Sequence, residues 1–372
     1  MSLRYHGFVE NSLSARIKGW CCTKNGIAAS VKLFVNNQFK AEILASVDRL
    51  DLKNRNICKE GGGFDIDISS FSGFGKNNFR ITDPDGSTLH NGEFSLSYQD
   101  IILGEAIVTI GSLKGVKVGL FGNARFARDT TIGTCMSKIL ACLGVETIDE
   151  PKNTDHTKIN IWHCFPHKEK PQGYQNTVNF NLMDISKSGI DEAHRSVFGR
   201  AVCVTEQEIV DDVQYVIKSE ENAAHDGKIV FGRDVLKMDT SGSVVQRLID
   251  NRLNESHVLD LRVPVIGGTI PHVILKRRPI SNRFSNSNIS ATLTRTENIF
   301  SEEEKDSIIK FCRYVKAEYC ELDILRDATE GKIWVVDVNN TPAGPPNGMT
   351  QSEQNLATRE QAIAFYNEFL RN

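Results

Sequence analysis

Two short strand-like segments near the C-terminal end carry oxygen ligands at a suggestive spacing. CELDIL (320–325) holds Glu321 and Asp323, and KIWVVDVNNTP (332–342) holds Asp337 and Asn339. The polar stretch RDATEG between them has the length of a turn, so the pair reads as an antiparallel hairpin. Side chains alternate along a strand, which puts Asp337 and Asn339 on one face and Val336 and Val338 on the other, toward a core. Glu321 and Asp323 likewise share a face. Carboxylates and an amide oxygen are hard ligands that suit Mg2+, a cation that completes its shell with phosphate and water. An aspartate inside the apolar run WVVDVNN needs a partner or a metal, since an unpaired buried charge is costly. The plain alternative is a salt-bridged or solvated aspartate.

Basic residues upstream could hold the matching anion. Lys218 ends the apolar run YVIK, where a phosphate is a natural partner, against the alternative of a strand-end lysine reaching solvent. The polar loop SEENAAHDG (219–227) reads either as a lid or as an ordinary surface loop. DLRVPVIGGTIPHVILKRRPISNRF (260–284) reads as two strands around Gly267-Gly268, and it carries Arg262, Lys276, Arg277, Arg278 and Arg283. Alternation separates Lys276 and Arg278 from Arg277, so not all can reach one site. Arg262 and one of Lys276 and Arg278 are expected on an anionic oxygen, because guanidinium forks engage two oxygens at once. A solvated basic hairpin is the rival reading. Asn286 and Asn288 in SNSNISATL are candidates for the substrate end, and Lys187 or Arg195 in SKSGIDEAHRSVFGR for a phosphate. WHCFPH offers His163, Cys164 and His167, but without a second ligand pair a structural role is preferred to zinc.

The elements that must position these residues fall into three stretches. Residues 1–103 read as short strands (VKLFV, GFDIDI, NNFRIT) between turn signals, hence a small all-β sandwich. Residues 104–200 read as βαβ, with strand GVKVGLFG, a helix over 131–144 stopped by Gly144, and the strands VETIDE, INIWHCF and NTVNFNL. Residues 201–372 alternate strands with a helix in TEQEIVDDV, a helix over 301–319 opened by the Ser301/Glu304 capping box, and a final amphipathic helix over 357–370. The expected class is α+β or α/β. GxGxxG is absent and GxxxxGK[ST] is absent, so neither a Rossmann nor a P-loop reading is supported.

Composition agrees with an ordinary globular enzyme. The 372 residues are 40% hydrophobic and 24% charged with net charge −3, which argues against a nucleic-acid partner. Nine cysteines, an odd number without CxxC, point to free thiols in a reducing compartment. No signal-like N-terminus and no membrane-length apolar run is seen, so cytoplasmic residence and no membrane span are expected.

LDIL…VVDVNNTP resembles the ATP-grasp pattern of a strand aspartate, a hairpin, then an acid, an apolar residue and asparagine. The resemblance covers about residues 115–372. It implies an ATP-grasp fold with a lid over about 201–245 and a metal and substrate part over about 246–372, and ATP with Mg2+ as cofactors. Asp323, Asp337 and Asn339 match the metal ligands; the second acid is more often glutamate, and the shorter Asp337 shifts the metal slightly. Lys187 and Lys218 take the place of phosphate-binding residues. VVQRLID resembles the strand that holds adenine, through the backbone of Arg247 and Leu248, with Gln246 near the base amine and Asp250 near the ribose. Arg262, Lys276 and Arg278 become the catalytic contacts to the γ-phosphate or an acyl phosphate. Through IKGWCC, VKLFVNNQ, SVDRLDL and GGGFDIDI, most of the first 95 residues resemble a module found beside bacterial surface-polysaccharide enzymes, which implies a binding or docking role such as a glycan contact; a structural β-domain with no ligand is the alternative. The implied activity is a carboxylate–amine ligase acting on a small carboxylate or sugar acid. A kinase on the same fold and a non-catalytic glycan-binding protein are the alternatives, and a homodimer is left open.

Overall fold

The computed structural model describes residues 4–10, 15–71, 76–104, 106, 110, 113–122, 134–152, 155–164, 169–170, 172–174, 176–220, 226–285 and 287–371. The architecture is mixed α/β with several separate sheets, and its N-terminal part is built mainly of strands. The chain divides into two compact units. One comprises Met1–Lys114, Lys138–Val145 and Gln354–Arg359; the other comprises Gly115–Ser137, Glu146–Glu353 and Glu360–Asn372.

In the first unit eight strands form one hydrogen-bonded series. Two antiparallel runs of four meet at a single parallel pairing between Phe8 and His90. Ser30–Val35 and Gln38–Leu44 are joined through Asn36 and Asn37, both with positive φ (51° and 64°), the conformation a tight hairpin turn demands. Alternation buries Val31, Leu33 and Val35 on one face.

The second unit contains three sheets. Lys117–Gly122, Glu146–Asp149, Ile159–His163 and Thr177–Val178 form a wholly parallel sheet, as the βαβ pattern predicts. Lys228–Phe231, Gln214–Ser219 and Ser243–Arg247 form a small antiparallel sheet. The third sheet is antiparallel, in the order Ser290–Thr294, Val273–Pro279, His257–Ile266, Tyr319–Arg326, Ile333–Asn339.

That five-stranded sheet has two unlike faces because its strands obey the period of two. One face sends Leu261, Val263, Leu322, Ile324, Val335 and Val338 into the main core. Helices Lys187–Phe198 and Glu302–Tyr314 cover it with Ile190, Ala193, Ile308 and Phe311. Each such fully buried large side chain contributes about 1.5–3 kcal/mol. The Ser301 hydroxyl accepts from the Glu304 amide and Glu304 returns to Ser301, so the expected capping box starts the second helix. The opposite face carries the charges.

Several local expectations are corrected. TEQEIVDDV forms only the 3-10 turn Glu206–Glu208: Val210 and Val213 have helical spacing, but both stay exposed, so no core face holds a helix there. Just before that turn, Cys203 makes an isolated bridge to Gln246. The helix expected over 301–319 ends at Tyr314, and the last long helix begins earlier, at Gln351, behind an N-cap at Thr350. Val336 does not face the main core. The register shifts after Asp323/Asp337, so Ile324 pairs Val335 and Val336 becomes the extra residue of a bulge. Val336 therefore joins Trp334, Leu325, Val202 and Ile249 in a separate small cluster. Among the described residues no helix is long and apolar enough to cross a membrane.

Candidate active site

The charged face of the five-stranded sheet opens on a cavity of about 620 Å3 within the second unit. Lys187, Lys218, Arg262, Lys276 and Arg278 line it, together with Asp323, Asp337 and Asn339. The residues come from four of the elements above: the start of helix Lys187–Phe198, the strand Gln214–Ser219, the basic hairpin and the acidic hairpin.

Asp323 pairs Asp337 directly across the acidic hairpin, and Arg262 pairs Asp323 on its other side. Two like charges directly opposite on neighbouring strands are destabilising unless cations separate them. Each carboxylate has one. The Lys276 ammonium donates to Asp323 Oδ1 at 2.7 Å, and the Lys187 ammonium donates to Asp337 Oδ1 at 2.7 Å. Arg262 Nε lies 3.0 Å from the same Asp323 oxygen, and its Nη1 reaches Glu321 Oε2 at 3.4 Å. Burial pushes the Asp323 carboxyl upward, but Arg262 and Lys276 outweigh it and hold the group well below the usual carboxylate range. Burial pulls Lys276 down despite Asp323, whereas Arg262 is driven up because Asp323 and Glu321 overcome its burial.

The donor set fits a divalent hard cation. The second oxygen of each carboxylate accepts no hydrogen bond among the described residues, since the lysines and the Val338 amide all use Oδ1. Asn339 stands across from Glu321, and its amide oxygen accepts only from the Thr341 amide at 3.2 Å, leaving a lone pair. Among the described residues no three His, Cys, Asp or Glu side chains cluster as a metal cage. Two carboxylates and an amide are therefore an open set, of the kind that relies on phosphate oxygens and water to complete magnesium coordination.

Lys218 projects from the strand Gln214–Ser219 and makes no hydrogen bond or ion pair among the described residues. Burial lowers its pKa, neighbouring Lys187 lowers it further, and Asp337, Asp260 and Asp323 oppose the shift. An enclosed ammonium without a partner is a binding site for an anion. Ser219, Asp226 and Gly227 flank it on the cavity wall, while residues 221–225 of the expected lid loop lie outside the described residues.

A second polar group sits at the other end of the cavity. Arg278 donates from Nη1 to Asp260 Oδ2 at 2.7 Å and from Nε to Asn288 Oδ1 at 3.0 Å. Asn251 donates to Asp260 Oδ1 at 2.7 Å and accepts from Arg283 Nη2 at 2.6 Å. Burial raises the Asp260 carboxyl against the pull of Arg278 and Lys276, and it lowers Arg283. Asp260 and Asn251 were not singled out from the sequence as site residues, and Arg283 was named only among the basic residues of the hairpin. Asp260 had a signal, because it precedes Arg262 by two in a strand; Arg283 follows a 3-10 turn, where no period applies.

Other candidates lie elsewhere. Gln246, Arg247, Leu248 and Asp250 do not line the cavity. Gln246 is buried against Cys203, the Arg247 amide donates to Val202 O at 2.9 Å, and Asp250 pairs with Arg252 at 2.6 Å. Arg195 is exposed and bonds Asp191 on its own helix. His163 is buried with both ring nitrogens unpartnered among the described residues, and Cys164 is buried. His167 and Asn286 lie outside the described residues.

No family model and no curated protein matches the chain. Among solved structures it is similar to the ATP-grasp ligase PsnB complexed with minimal precursor, at 13% identity and TM-score 0.46, covering 68% of this chain and 99% of that one. It is similar to the macrocyclase MdnC bound with precursor peptide MdnA from Microcystis aeruginosa MRC, at 11% identity and TM-score 0.42 over 69% and 100% of the two chains. It is also similar to D-alanine–D-alanine ligase from Bacillus anthracis complexed with ATP, at 11% identity and TM-score 0.38 over 69% and 97%.

Proposed function

We propose that this chain is an ATP-dependent ligase of the ATP-grasp type that activates a carboxylate as an acyl phosphate for attack by an amine, with ATP and Mg2+ as cofactors. The observation that carries the reading is the direct pairing of Asp323 with Asp337, both beside Asn339, in a cavity that also holds the unpartnered Lys218. Asp323, Asp337 and Asn339 hold the cation. Lys187 and Lys218 bind phosphate oxygens. Mg2+, when bound, neutralises charge that spreads over the moving phosphoryl group.

The remaining residues orient and enclose. Leu325 and Val336 give an apolar wall against which a base can lie. Arg278 and Arg283 face the acceptor end, where forks of N–H donors suit a carboxylate. Arg262 and Lys276 keep Asp323 ionised and fixed. In the reaction a carboxylate oxygen attacks the γ-phosphorus and ADP leaves. The amine then attacks the acyl carbon, phosphate leaves, and an amide remains. Gln246, Arg247, Leu248 and Asp250 are not assigned to adenine in this reading. A place in surface-polysaccharide or small-metabolite synthesis rests on the resemblance of the N-terminal segment alone.

The test is turnover of ATP by the purified chain with Mg2+ and a pool of acids and amines, read by phosphorus NMR and mass spectrometry. ADP, free phosphate and a new amide are expected. A stable phosphorylated product without free phosphate would identify a kinase instead, and no ADP with any acceptor would overturn both.

A further inference from the structure

A second cavity, of about 420 Å3, opens beside the main one within the same unit. The two share Gly227, Arg283, Phe284 and Ser285, so they meet at the acceptor end. Phe284 borders both, and a Cβ at Gly227 would stand 3.0 Å from its ring, a close approach that glycine permits. Arg283 marks the join. Its carbonyl accepts from Arg278 Nη1 at 3.1 Å, and its guanidinium donates to Asn251 at 2.6 Å. Beyond the join the chemistry changes. Ile229 and Ile280 give the second cavity apolar walls, and Ser281 and Asn282 add neutral polar groups. Among the described residues Arg283 is the one charged member of its lining. With no acid there, nothing in it recognises an ammonium.

Ile229 belongs to Lys228–Phe231, an edge strand that pairs only with Gln214–Ser219 among the described residues. The other side of an edge strand offers main-chain donors and acceptors to a further extended segment. We propose that the second cavity holds the body of the acceptor: an elongated carboxylic acid whose carboxylate lies at Arg278 and Arg283, and whose uncharged, amide-bearing body runs past Phe284 along Lys228–Phe231. The proposal rests on the ligase reading above and names the chemical class of its acceptor. A small acid occupies the main cavity alone and leaves Ile229 and Ile280 wet. An elongated one covers both cavities and buries apolar surface without bringing in a second charge. The amine does not belong in the second cavity, because an ammonium would meet Arg283 and no carboxylate.

Hydrogen exchange of the full chain, with and without a pool of N-acetyl tripeptides that each carry a single carboxylate and no other charge, tests this. Amides of Lys228–Phe231 are expected to exchange at least about tenfold more slowly with the pool. Acetate and propionate are expected to leave them unchanged. In ATP turnover with Mg2+ and an amine pool, the tripeptides should exceed the two short acids in kcat/KM by at least about tenfold. Ile229→Asp and Ile280→Asp each put a carboxylate on an apolar wall and should cut that ratio about tenfold, with a thermal melt showing which variants are folded. No protection by the pool overturns the proposal, and so does a preference for the tripeptides that survives both substitutions in folded protein. If no acid of either length yields ADP, the ligase reading falls on its own. Protection of Lys228–Phe231 by the pool then still supports a site for an elongated acid, and its absence removes that site as well.

Discussion

Asp323 and Asp337 face each other across neighbouring antiparallel strands, and each holds a lysine ammonium at 2.7 Å. The arrangement sets two acids side by side at the floor of a cavity, and its cations hold Asp323 ionised. It also makes their removal unequal. Asp323 neutralises both Lys276 and part of Arg262, and those groups are nearly enclosed. Asp323→Asn should therefore destabilise the fold by about 3–5 kcal/mol, the cost of bare buried charge. Asp337→Asn frees a single enclosed lysine, Lys187, where Asp323 serves two cations, and should cost less, about 2–3 kcal/mol. Chemical denaturation of the two variants gives the order, and an equal or reversed order contradicts the pairing described.

Lys218 predicts a gain and a loss in one variant. Its ammonium is enclosed and, among the described residues, unpartnered, so Lys218→Met should leave the unliganded fold as stable as wild type or more stable by about 1 kcal/mol. Affinity for nucleotide should fall about tenfold, equivalent to about 1.4 kcal/mol. Denaturation and a nucleotide titration of the same preparation check both halves. A variant that is destabilised while binding nucleotide normally would assign Lys218 a structural role.

Arg277 and Arg278 are neighbours that should behave differently. Arg278 bonds Asp260 on the cavity face, whereas Arg277 lies off the cavity against His257. Arg278→Gln should leave Asp260 without its cation and cost about 3 kcal/mol of stability. Arg277→Gln removes one part-buried hydrogen bond to His257 and should cost about 1 kcal/mol or less. Melting curves of the two variants are sufficient to tell.

Two buried histidines set an acid limit on stability. Burial lowers His163 and His194 to about 4 from the usual value near 6.5. The unfolded chain takes up these protons near pH 6.5, while the folded chain resists until about pH 4. Their contribution is thus complete above the unfolded value and is lost as pH falls through that window, on the order of 2–3 kcal/mol for each. Denaturation midpoints should drop between about pH 6.5 and 4.5, and His163→Phe should make that drop shallower. An unchanged slope in this variant would show that His163 finds a partner when the chain is in solution.

Much of the site could be read from residue spacing. The hairpin bearing Asp323, Asp337 and Asn339 was legible because a period of two runs unbroken through CELDIL and most of WVVDVNN. The same rule separated Arg277 from Lys276 and Arg278. It failed at Val336, where a bulge puts an extra residue into the strand, and nothing in the sequence marks a bulge there. TEQEIVDDV looked helical from its composition, but its backbone forms only one 3-10 turn before the strand Gln214–Ser219. The pairing partners were not legible at all. That Lys187 meets Asp337, 150 positions away, is a product of tertiary packing, which no local pattern encodes.

The central claim is that Asp337, with Asp323 and Asn339, holds a divalent cation carried in by nucleotide. Calorimetric titration of a non-hydrolysable ATP analogue into wild type and Asp337→Ala, each with and without Mg2+, tests it most directly. Magnesium should strengthen binding to wild type at least about tenfold and should have almost no effect on the folded variant. The same magnesium enhancement in both proteins, or none in wild type, would contradict the account.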